Sequence, residues 1–374
     1  DGAGNIRNRE FMKSVIKSNR RMTYLEVAEI LKGGIIASEY EDVKDMLFAC
    51  KELAGVLRRK RNAAGAINFI SDETKIILDS DGRVLDIAPY PLYESNEMIE
   101  MFMVLANEVV AEYIKGKGVP CVYRVHQRPS EEKMEGFVEF INAMGLWLDV
   151  NKGVRPKLLA DFLESIKGGP AERLISRMLL RSMAKAKYDT KNEGHFGLSL
   201  ESYCHFTSPI RRYPDLMVHR ALKAIIDKKD NKAFRDSFAK ACEEAASRSS
   251  ERELASEKAE RDIDDYYKAV YMSDKIGETY KGIISGVTPY GIFVELPNTV
   301  EGFIPIDSLP RDRYETDVRR RLVGTRYVFA TGDQIDIIIA SVDTTARKIY
   351  MDFAGQAADY MAKPKKAKNL PLQG

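Results

Sequence analysis

A run of hydroxyl, aromatic and basic residues at 194–222, GHFGLSLESYCHFTSPIRRYPDLMVHRAL, carries the clearest chemical signal in the chain. Arg211 and Arg212 stand just before a proline that suits the first turn of a helix, where an N–H has no intrahelical partner. A helix N-terminus favours an anion, and guanidinium groups hold phosphate oxygens through paired hydrogen bonds. Because Thr207 and Ser208 add hydroxyl donors, the run predicts a binding site for a phosphodiester backbone.

Aromatic residues and histidines around this run leave two interpretations open. Tyr203 and Phe206 could stack on nucleotide bases, since every base offers a flat face, or they could pack in the core. The sequence contains four histidines, His126, His195, His205 and His219. A zinc site would need at least three ligands that converge in space, and no carboxylate or cysteine spacing supports one. Local hydrogen bonds or contacts with nucleic acid are therefore the preferred interpretation for the histidines.

Composition limits the class of protein. The 374 residues include 58 basic and 56 acidic side chains, so net charge does not indicate a nucleic-acid partner and local clusters must carry that argument. The four cysteines lie far apart, a pattern that fits reduced thiols in the cytoplasm rather than a zinc site. No apolar run approaches the roughly 20 residues that span a bilayer, so no membrane partner is expected.

Periodicity and turn residues predict the elements of the first 272 residues. The pair Asp81-Gly82 predicts a hairpin between two extended segments. Apolar residues at helical spacing predict a helix over 97–115, capped by Ser95 or Asn96. Further elements are expected as a helix from Tyr24, a strand near 123–130, a helix opened by Ser130, and helices over 157–166, 171–187 and about 233–272. These alternating elements predict one large α+β core.

From residue 275 the pattern changes to five short strands separated by turn residues. Five strands within roughly 80 residues suit a small Greek-key barrel of the OB type. Tyr280, Tyr290, Phe293 and Phe303 alternate with aliphatic residues there, so some of them must face the core. The predicted domains are therefore 1–272 and 275–354, followed by a basic tail over 355–374 that we expect to be disordered.

Several runs of the sequence resemble the RNase II/RNase R (RNB) family of exoribonucleases. The run at 194–222 is similar to the family signature, and SVIKSNRRMTY at 14–24 resembles the segment that follows the catalytic half of the RNB domain. RVHQRPS at 124–130 matches the family's Arg-x-His-x-x-Pro pattern, and SSERELASEKAERDIDD at 249–265 resembles the helix that leads out of the RNB domain. KGIISGVTPYGIFVEL at 281–296 resembles an S1 RNA-binding domain. The resemblance covers nearly the whole chain and implies an RNase R-like C-terminal portion, an α+β part of the RNB fold followed by an OB-type S1 barrel.

The resemblance also implies an activity, which is magnesium-dependent, processive 3′→5′ hydrolysis of RNA to 5′-nucleotides. In that picture Arg211 is the catalytic residue, because it contacts the phosphate near the scissile bond and stabilises the charge that develops there. The residues expected to bind RNA are Arg212, Arg220, Arg124, Thr207, Ser208, Tyr203, Tyr290, Phe293 and Lys281. A further run of arginines at 311–321 offers phosphate-binding charge or is simply a solvated loop.

The sequence departs from the family pattern where the metal should bind. The family's magnesium-binding aspartate cluster lies upstream of SVIKS, and this chain begins only just before that segment, so we expect no metal ligands and no cofactor in the isolated chain. Asp262, Asp264 and Asp265 resemble that cluster superficially but match a different family region, a charged helix. Ala64 stands where the family often has arginine, and Met101 stands where it often has a second glutamate.

Two functions of different classes remain open. In the first, the chain is a portion of a 3′→5′ exoribonuclease that supplies the RNA channel and phosphate contacts, while the missing N-terminal half of the same protein is a possible partner. In the second, it is a non-catalytic single-stranded RNA-binding protein derived from the family. An aspartate-rich motif encoded in frame upstream of Asp1 favours the enzyme, and a start codon close by favours the binding protein. In either case we expect the chain alone to lack nuclease activity.

Overall fold

The computed structural model describes residues 1–34, 38–69, 73–151, 153–169 and 171–355. The tail expected at 355–374 lies outside these residues, apart from Gly355. Among the described residues, no helix combines the length and apolar character that crossing a membrane requires.

Helices make up most of the first 273 residues. They are α1 Tyr24–Leu31, α2 Lys44–Ala64, α3 Glu94–Lys117, α4 Glu131–Ala143, α5 Pro156–Ser165, α6 Glu172–Ser182, α7 Tyr213–Ile226 and α8 Lys232–Ser273. Ser130 caps α4 as predicted, because its side chain accepts a hydrogen bond from the N–H of Lys133. Helix α2 was not predicted from the sequence, and α6 ends at Ser182, five residues before its predicted end.

The cap of α3 differs from the prediction. Tyr93, not Ser95 or Asn96, is the N-cap residue, and the Asn96 side chain accepts a hydrogen bond from the Tyr93 N–H at 3.0 Å. The Ser95 hydroxyl donates instead to the carbonyl of Tyr24 at 2.6 Å. Ser95 therefore ties the start of α3 to α1.

Two small antiparallel sheets accompany these helices. Strands β1 Thr74–Leu78 and β2 Val84–Pro89 form the predicted hairpin, and Gly82 in its turn has a φ of +80°, a region that favours glycine. Strands β3 Tyr123–Val125 and β4 Lys187–Asp189 form the second sheet. The second sheet brings Arg124 opposite Tyr188, next to the segment that leads into the arginine run.

The apolar interior of this helical part is divided into three clusters rather than the single core predicted. One lies among α3, α7 and α8 with the second sheet, one among α4, α5 and α6, and one among α1, α2 and the start of α3. The reason is geometric: the strands are too short to make one continuous sheet face, so each group of amphipathic helices buries its own apolar stripe.

The predicted barrel is present. Its strands are β5 Thr279–Thr288, β6 Gly291–Glu295, β7 Glu301–Pro305, β11 Gln334–Asp343 and β12 Lys348–Phe353, closed in the order β11-β12-β7-β6-β5. A three-stranded sheet that was not predicted from the sequence is inserted between β7 and β11 in the chain. Its strands are β8 Glu315–Thr316, β9 Arg321–Val323 and β10 Val328–Ala330.

The barrel is fixed against the helical part at several points. Ile87 of the hairpin and Met272 of α8 belong to the barrel's own apolar core. The hydroxyls of Thr74 and Thr299 are 2.7 Å apart. From α6, Arg177 Nη2 donates to Glu295 of β6 at 2.7 Å. Apolar, neutral polar and ionic contacts therefore all hold the barrel in place.

Candidate nucleic-acid interface

The turn at residues 207–212, the arginine loop, is anchored from α7 by a buried carboxylate. Asp215 in the first turn of α7 has no solvent exposure, and its Oδ1 accepts hydrogen bonds from Arg212 Nη2 at 2.7 Å and from the Ser208 N–H at 2.8 Å. Asp215 Oδ2 and Arg212 Nε are also buried and have no hydrogen-bond partner in the described part of the chain. One side chain thus fixes both ends of the turn that contains Arg211.

A second anchor comes from α3. The amide of Asn107, only 3% exposed, donates from Nδ2 to the Tyr203 hydroxyl at 3.0 Å and accepts the Phe206 N–H at 2.9 Å. The Asn107 carbonyl also accepts from the Cys204 thiol at 3.4 Å. A buried amide that is satisfied at both ends is costly to disturb, so Asn107 holds residues 203–206 in one conformation.

Three of the four arginines expected here, Arg124, Arg211 and Arg212, have different surroundings. Arg124 donates to Glu253 at 2.6 Å and lies over the ring of Tyr188 at 4.7 Å, and Arg212 is committed to Asp215. Arg211 is exposed, and within the described residues its guanidinium has neither an ion pair nor a hydrogen bond. Arg211 is therefore the guanidinium available for an external anion.

The hydroxyl residues lie beside it. Thr207 and Ser208 are half-buried, and neither hydroxyl makes a hydrogen bond within the part of the chain that the structure describes. Arg220 of α7 is exposed and contacts Tyr213, with its Nη1 3.5 Å from the Tyr213 hydroxyl. Thr207 and Ser208 are placed to add donors near Arg211, whereas Arg220 lies about two turns into α7.

A chain of rings lies beneath this loop. Ring centroids are 5.0 Å apart for His126 and His195, 5.4 Å for His195 and Tyr203, 5.7 Å for Tyr203 and His205, and 5.6 Å for His205 and Tyr188. Tyr203 is 6% exposed within this chain. This burial fits packing, one of the two interpretations left open for Tyr203, because neighbouring rings cover it. Phe206 stacks on His219 at 4.2 Å and packs against the core.

Burial and nearby positive charge lower the pKa of His126, His195 and His205. Burial lowers the pKa of His205 to about 2, and Arg212 and Arg124 add to the effect. Burial also lowers the pKa of His195 to about 3, with His126 as the next cause. His126 is held as a neutral ring, since its Nδ1 accepts the Gly197 N–H at 2.9 Å while Nε2 faces the Ala184 carbonyl at 2.7 Å. The local charge is thus carried by arginines and favours an anion.

Arg61 of α2 is a site residue that was not predicted from the sequence. Its Nη1 is buried and lacks a hydrogen-bond partner among the described residues. Burial lowers the pKa of Arg61, while Tyr203, Glu108 and Glu100 oppose that shift. Burial raises the pKa of both Glu100 and Glu108. Its position could have indicated it, because Arg61 lies one turn before Ala64 on the same helix, and an arginine is expected near Ala64 from the family resemblance.

The barrel presents a row of aromatic residues to its exterior. Phe293 of β6 pairs in register with Phe303 of β7, which pairs with Tyr350 of β12, and the two phenylalanine rings are 5.0 Å apart. The row lines a cleft of about 440 Å³ that Asp265 and Lys268 of α8 close from the other side. Phe303 and Tyr350 were not selected from the sequence, because only the register shows that they share a face with Phe293.

The other barrel candidates lie apart from this row. Tyr290 is 78% exposed in the turn between β5 and β6. Lys281 is exposed on β5, in register with Asp336 of β11. In the arginine run at 311–321, Arg321 is bound to Asp317 at 2.6 Å, while Arg319 is exposed. The run therefore belongs to the inserted three-stranded sheet and contributes only part of its charge to the surface.

The described residues do not fit a magnesium ion. They contain no group of three or more His, Cys, Asp or Glu side chains that could hold a metal. Asp262, which superficially resembles part of an aspartate cluster, lies on α8 and pairs with Arg347 at 3.3 Å. No step of the chemistry is therefore assigned to a metal held by these residues.

Comparisons with known proteins agree with this architecture. The model of the RNB domain matches residues 1–228, and that of the S1 RNA binding domain matches residues 273–351. Ribonuclease R 1 of Lactococcus lactis is 37% identical over 373 residues, covering 98% of this chain and 46% of that protein. Ribonuclease R of Aquifex aeolicus is 39% identical over 359 residues, covering 93% of this chain and 50% of that protein.

A solved structure shows the same arrangement. Mycoplasma genitalium RNase R in complex with ribose methylated single-stranded RNA superposes with a TM-score of 0.82 and 29% identity, covering 88% of this chain and 52% of that one. The chain therefore consists of an RNB region followed by an S1 domain with an OB-type barrel. It belongs to the RNase R-like 3′→5′ exoribonuclease family. The chain spans about half the length of the curated relatives it matches.

Proposed function

We propose that this chain is the RNA-holding portion of an exoribonuclease that processively hydrolyses single-stranded RNA to 5′-nucleotides. The observation that carries the proposal is the arrangement at Arg211. This exposed guanidinium has no partner among the described residues, and its neighbours Arg212 and Arg124 are fixed by Asp215 and Glu253. A rigid basic loop with one free guanidinium suits a phosphodiester group.

Arg211 acts on the phosphate near the scissile bond. Its planar guanidinium binds two phosphate oxygens at once, and it stabilises negative charge that grows on those oxygens as the bond breaks. The hydroxyls of Thr207 and Ser208 donate to the same phosphate or its neighbour. Because Asp215 and Asn107 hold the loop before RNA arrives, little reorganisation is needed when RNA binds.

The aromatic row of the barrel receives the incoming strand. Phe293, Phe303 and Tyr350 offer ring surface for bases without regard to sequence, and Lys281 adds a phosphate contact on the neighbouring strand pair. The fixed contact between Arg177 and Glu295 keeps the barrel in a constant position relative to the helical part. The barrel thus guides RNA towards the arginine loop.

The chemistry also needs residues from outside this chain. The magnesium ligands are proposed to lie in the half of the protein that this chain does not cover, and the whole protein to work in the cytoplasm. The alternative is a non-catalytic RNA-binding protein, and the lack of a carboxylate cluster among the described residues is the observation that favours it. The coding sequence upstream of Asp1 separates the two.

RNA binding by the whole chain tests the proposal. Affinity for a labelled oligoadenylate is measured at several salt concentrations for the wild type, Arg211→Gln and the exposed control Arg59→Gln of α2. Loss of one phosphate contact should reduce the slope of log affinity against log salt by about 0.7 in Arg211→Gln and leave Arg59→Gln unchanged. Equal slopes for all three proteins would contradict a phosphate contact at Arg211.

A further inference from the structure

The inserted three-stranded sheet with its turns, residues 311–332, which we call the insert, carries arginines that the proposed function leaves unassigned. Four of them are exposed, and in the described part of the chain their guanidinium groups make neither an ion pair nor a hydrogen bond: Arg311, Arg313, Arg319 and Arg320. The acidic residues beside them are mostly bound. Asp312 and Asp317 accept hydrogen bonds within the insert, and Glu315 is the exposed carboxylate on β8. The surface of the insert is therefore positively charged.

The turn between β8 and β9 is fixed by the carboxylate of Asp317. Its Oδ1 accepts the N–H of Arg321 at 3.0 Å, and its Oδ2 accepts Nε and Nη2 of the same residue at 2.8 and 2.6 Å. Arg320 has a φ of +55°, a region that residues other than glycine rarely adopt, and its carbonyl accepts the N–H and the hydroxyl of Thr331 at 3.3 and 2.9 Å. These bonds hold the backbone of Arg319 and Arg320 in one conformation.

The opposite end of the insert is fixed by Asp312. Its Oδ2 accepts the N–H groups of Arg326 and Tyr327, in the turn between β9 and β10, at 2.6 and 3.0 Å. The guanidinium of Arg326 in turn donates from Nη2 to the carbonyl of Arg311 at 2.6 Å. The segment that carries Arg311 and Arg313 is therefore tied to the turn that follows β9.

The two pairs of free guanidinium groups lie at opposite ends of a short strand. Arg319 and Arg320 stand in the turn that enters β9, and Arg311 and Arg313 are held beside the turn that leaves it. The 3 residues of β9 span roughly 10 Å at about 3.3 Å per residue. Because the two carboxylates that fix these positions belong to the insert, the spacing is a property of the S1 domain itself.

Residues 311–332, all of which the structure describes, present no fully exposed aromatic ring. Phe329 belongs to the barrel core, and Tyr314 and Tyr327 are half-buried. Arg326 also lies over the ring of Tyr327 at 5.5 Å. Unpaired bases bind proteins largely by stacking on such rings, whereas a duplex keeps its bases stacked inside and is held through phosphates and 2′-hydroxyls. The chemistry of the insert therefore fits a duplex better than a single strand.

We propose that the insert binds the backbone of double-stranded RNA, with one pair of arginines on each side of the minor groove. Double-stranded RNA has a wide, shallow minor groove bordered by the phosphates of both strands. Arg319 and Arg320 contact one strand, Arg311 and Arg313 contact the other, and the sheet spans the groove between them. This surface is separate from the aromatic row of β6, β7 and β12. It goes beyond the proposed function, which concerns single-stranded RNA, and does not depend on it.

Two other ligands fit the insert less well. Single-stranded RNA gains stacking energy at the aromatic row of the barrel, which the insert does not offer, so it prefers that row. An acidic polypeptide carries its carboxylates on rotatable side chains, and ordering them costs conformational entropy. The phosphates of a duplex are already held at regular spacing, so they match two fixed pairs of arginines at a lower cost.

The test measures binding of a labelled, blunt-ended RNA duplex and of a labelled oligoadenylate by the whole chain. The paired changes Arg319→Gln/Arg320→Gln and Arg311→Gln/Arg313→Gln should each raise the dissociation constant for the duplex by about tenfold or more, because two charge-assisted contacts are lost. The slope of log affinity against log salt should fall by about 0.9 for each arginine replaced, the value for a DNA duplex. Binding of oligoadenylate should stay near that of the wild type.

Three further variants separate the two RNA surfaces. The charge-matched control Arg59→Gln/Arg252→Gln removes two exposed arginines of the helical part and should leave duplex binding unchanged. Phe293→Ala should weaken binding of oligoadenylate and leave binding of the duplex as it is. Arg319→Lys/Arg320→Lys keeps both charges and should keep most of the salt slope for the duplex.

Four results would overturn the proposal. They are no duplex binding by the wild type at low salt, an equal loss in the control, equal losses for duplex and oligoadenylate in the insert variants, or tighter binding of polyglutamate than of the duplex. The replaced guanidinium groups make no bonds among the described residues, so the thermal midpoints of the insert variants should equal that of the wild type. The oligoadenylate titration of Arg211→Gln is independent of these results, so a failure at the insert is distinguishable from a failure of the proposed function.

Discussion

Arg212 and Asp215 form a buried ion pair in which Nη2 lies 2.7 Å from Oδ1, and this pair decides which of two adjacent arginines is free. Arg212 is 23% exposed and bound, while Arg211 points to solvent without a partner among the described residues. Asp215 also accepts the Ser208 N–H, so one carboxylate sets the shape of the turn. The pair is a structural device that presents Arg211.

Asp215→Asn should destabilise the chain. The amide keeps an acceptor for Ser208, but Arg212 then remains largely buried without a counter-charge, a change that costs about 3 kcal/mol. The free energy of unfolding is measured by denaturant titration. The control is Glu244→Gln, which removes the charge of the exposed partner of Arg248 and should cost less than about 1 kcal/mol. Equal losses in the two variants would contradict the structural role given to Asp215.

Arg211→Lys should impair turnover more than RNA affinity in an enzyme reconstituted with the missing half. Lysine keeps the charge but loses the planar group that holds two oxygens at once, and each charge-assisted bond is worth about 1.5–3 kcal/mol. Single-turnover cleavage and equilibrium binding are measured on the same preparation, beside Arg212→Lys. A large loss of affinity with normal chemistry would make Arg211 a tether, and equal effects would remove the distinction between the two arginines.

The free energy of unfolding should decrease as pH falls, because His205 and His195 take up protons more readily in the unfolded chain. The pKa of His205 is lowered to about 2 and that of His195 to about 3, whereas an unfolded histidine titrates near 6.5. Below pH 6.5 the unfolded state therefore binds more protons than the folded state. The stability that is fully present above pH 6.5 is lost as pH drops towards the pKa values of the folded chain. Each histidine contributes a slope of about 1.4 kcal/mol per pH unit well below pH 6.5.

The variant His205→Asn isolates one of these contributions. Asparagine places a polar atom near the position of Nδ1, which lies 2.9 Å from the Tyr188 hydroxyl. Unfolding free energies are compared between pH 7 and pH 5, and the variant should show a smaller decrease than the wild type. An identical decrease would mean that His205 protonates as freely in the folded chain as in the unfolded one.

Different residues of the barrel should contribute base stacking and positive charge to RNA binding. Phe293→Ala should weaken binding of single-stranded RNA by about 1–3 kcal/mol at every salt concentration, because base stacking on an aromatic ring does not depend on counter-ions. Lys281→Gln should instead reduce the salt slope by about 0.7 with a smaller effect at high salt. The two titrations are run side by side, and a change of slope in Phe293→Ala would assign its role to charge.

The chain alone should release no nucleotides from labelled poly(A) in the presence of magnesium. Phosphodiester hydrolysis by metal ions needs converging carboxylates, and the described residues hold no such group. The comparison is a full-length relative with its aspartates replaced. Release above that background would force a search for metal ligands elsewhere in the chain and would weaken the proposal that the other half supplies them.

The sequence by itself determined the elements that local patterns encode. Spacing and turn chemistry within a few residues determine four such features. These are the Asp81-Gly82 turn, the Ser130 cap, the long helix over 232–273 and the five barrel strands. The arginine run was evident for the same reason, since its residue types and the following proline are contiguous. The family resemblance followed from these runs and agrees with the matched RNB and S1 models.

Only the tertiary structure decided which of these side chains are hydrogen-bonded or buried and which are free. Arg211 and Arg212 are identical in type and adjacent in sequence, and Asp215 binds one of them because α7 turns its carboxylate beneath the loop. The sequence left open whether Tyr203 packs or stacks, and its 6% exposure and its hydrogen bond from Asn107, 96 residues earlier in the chain, come only from tertiary contacts. Burial and hydrogen bonding are properties of surfaces that meet in space, so contacts between distant segments fix them and local sequence does not.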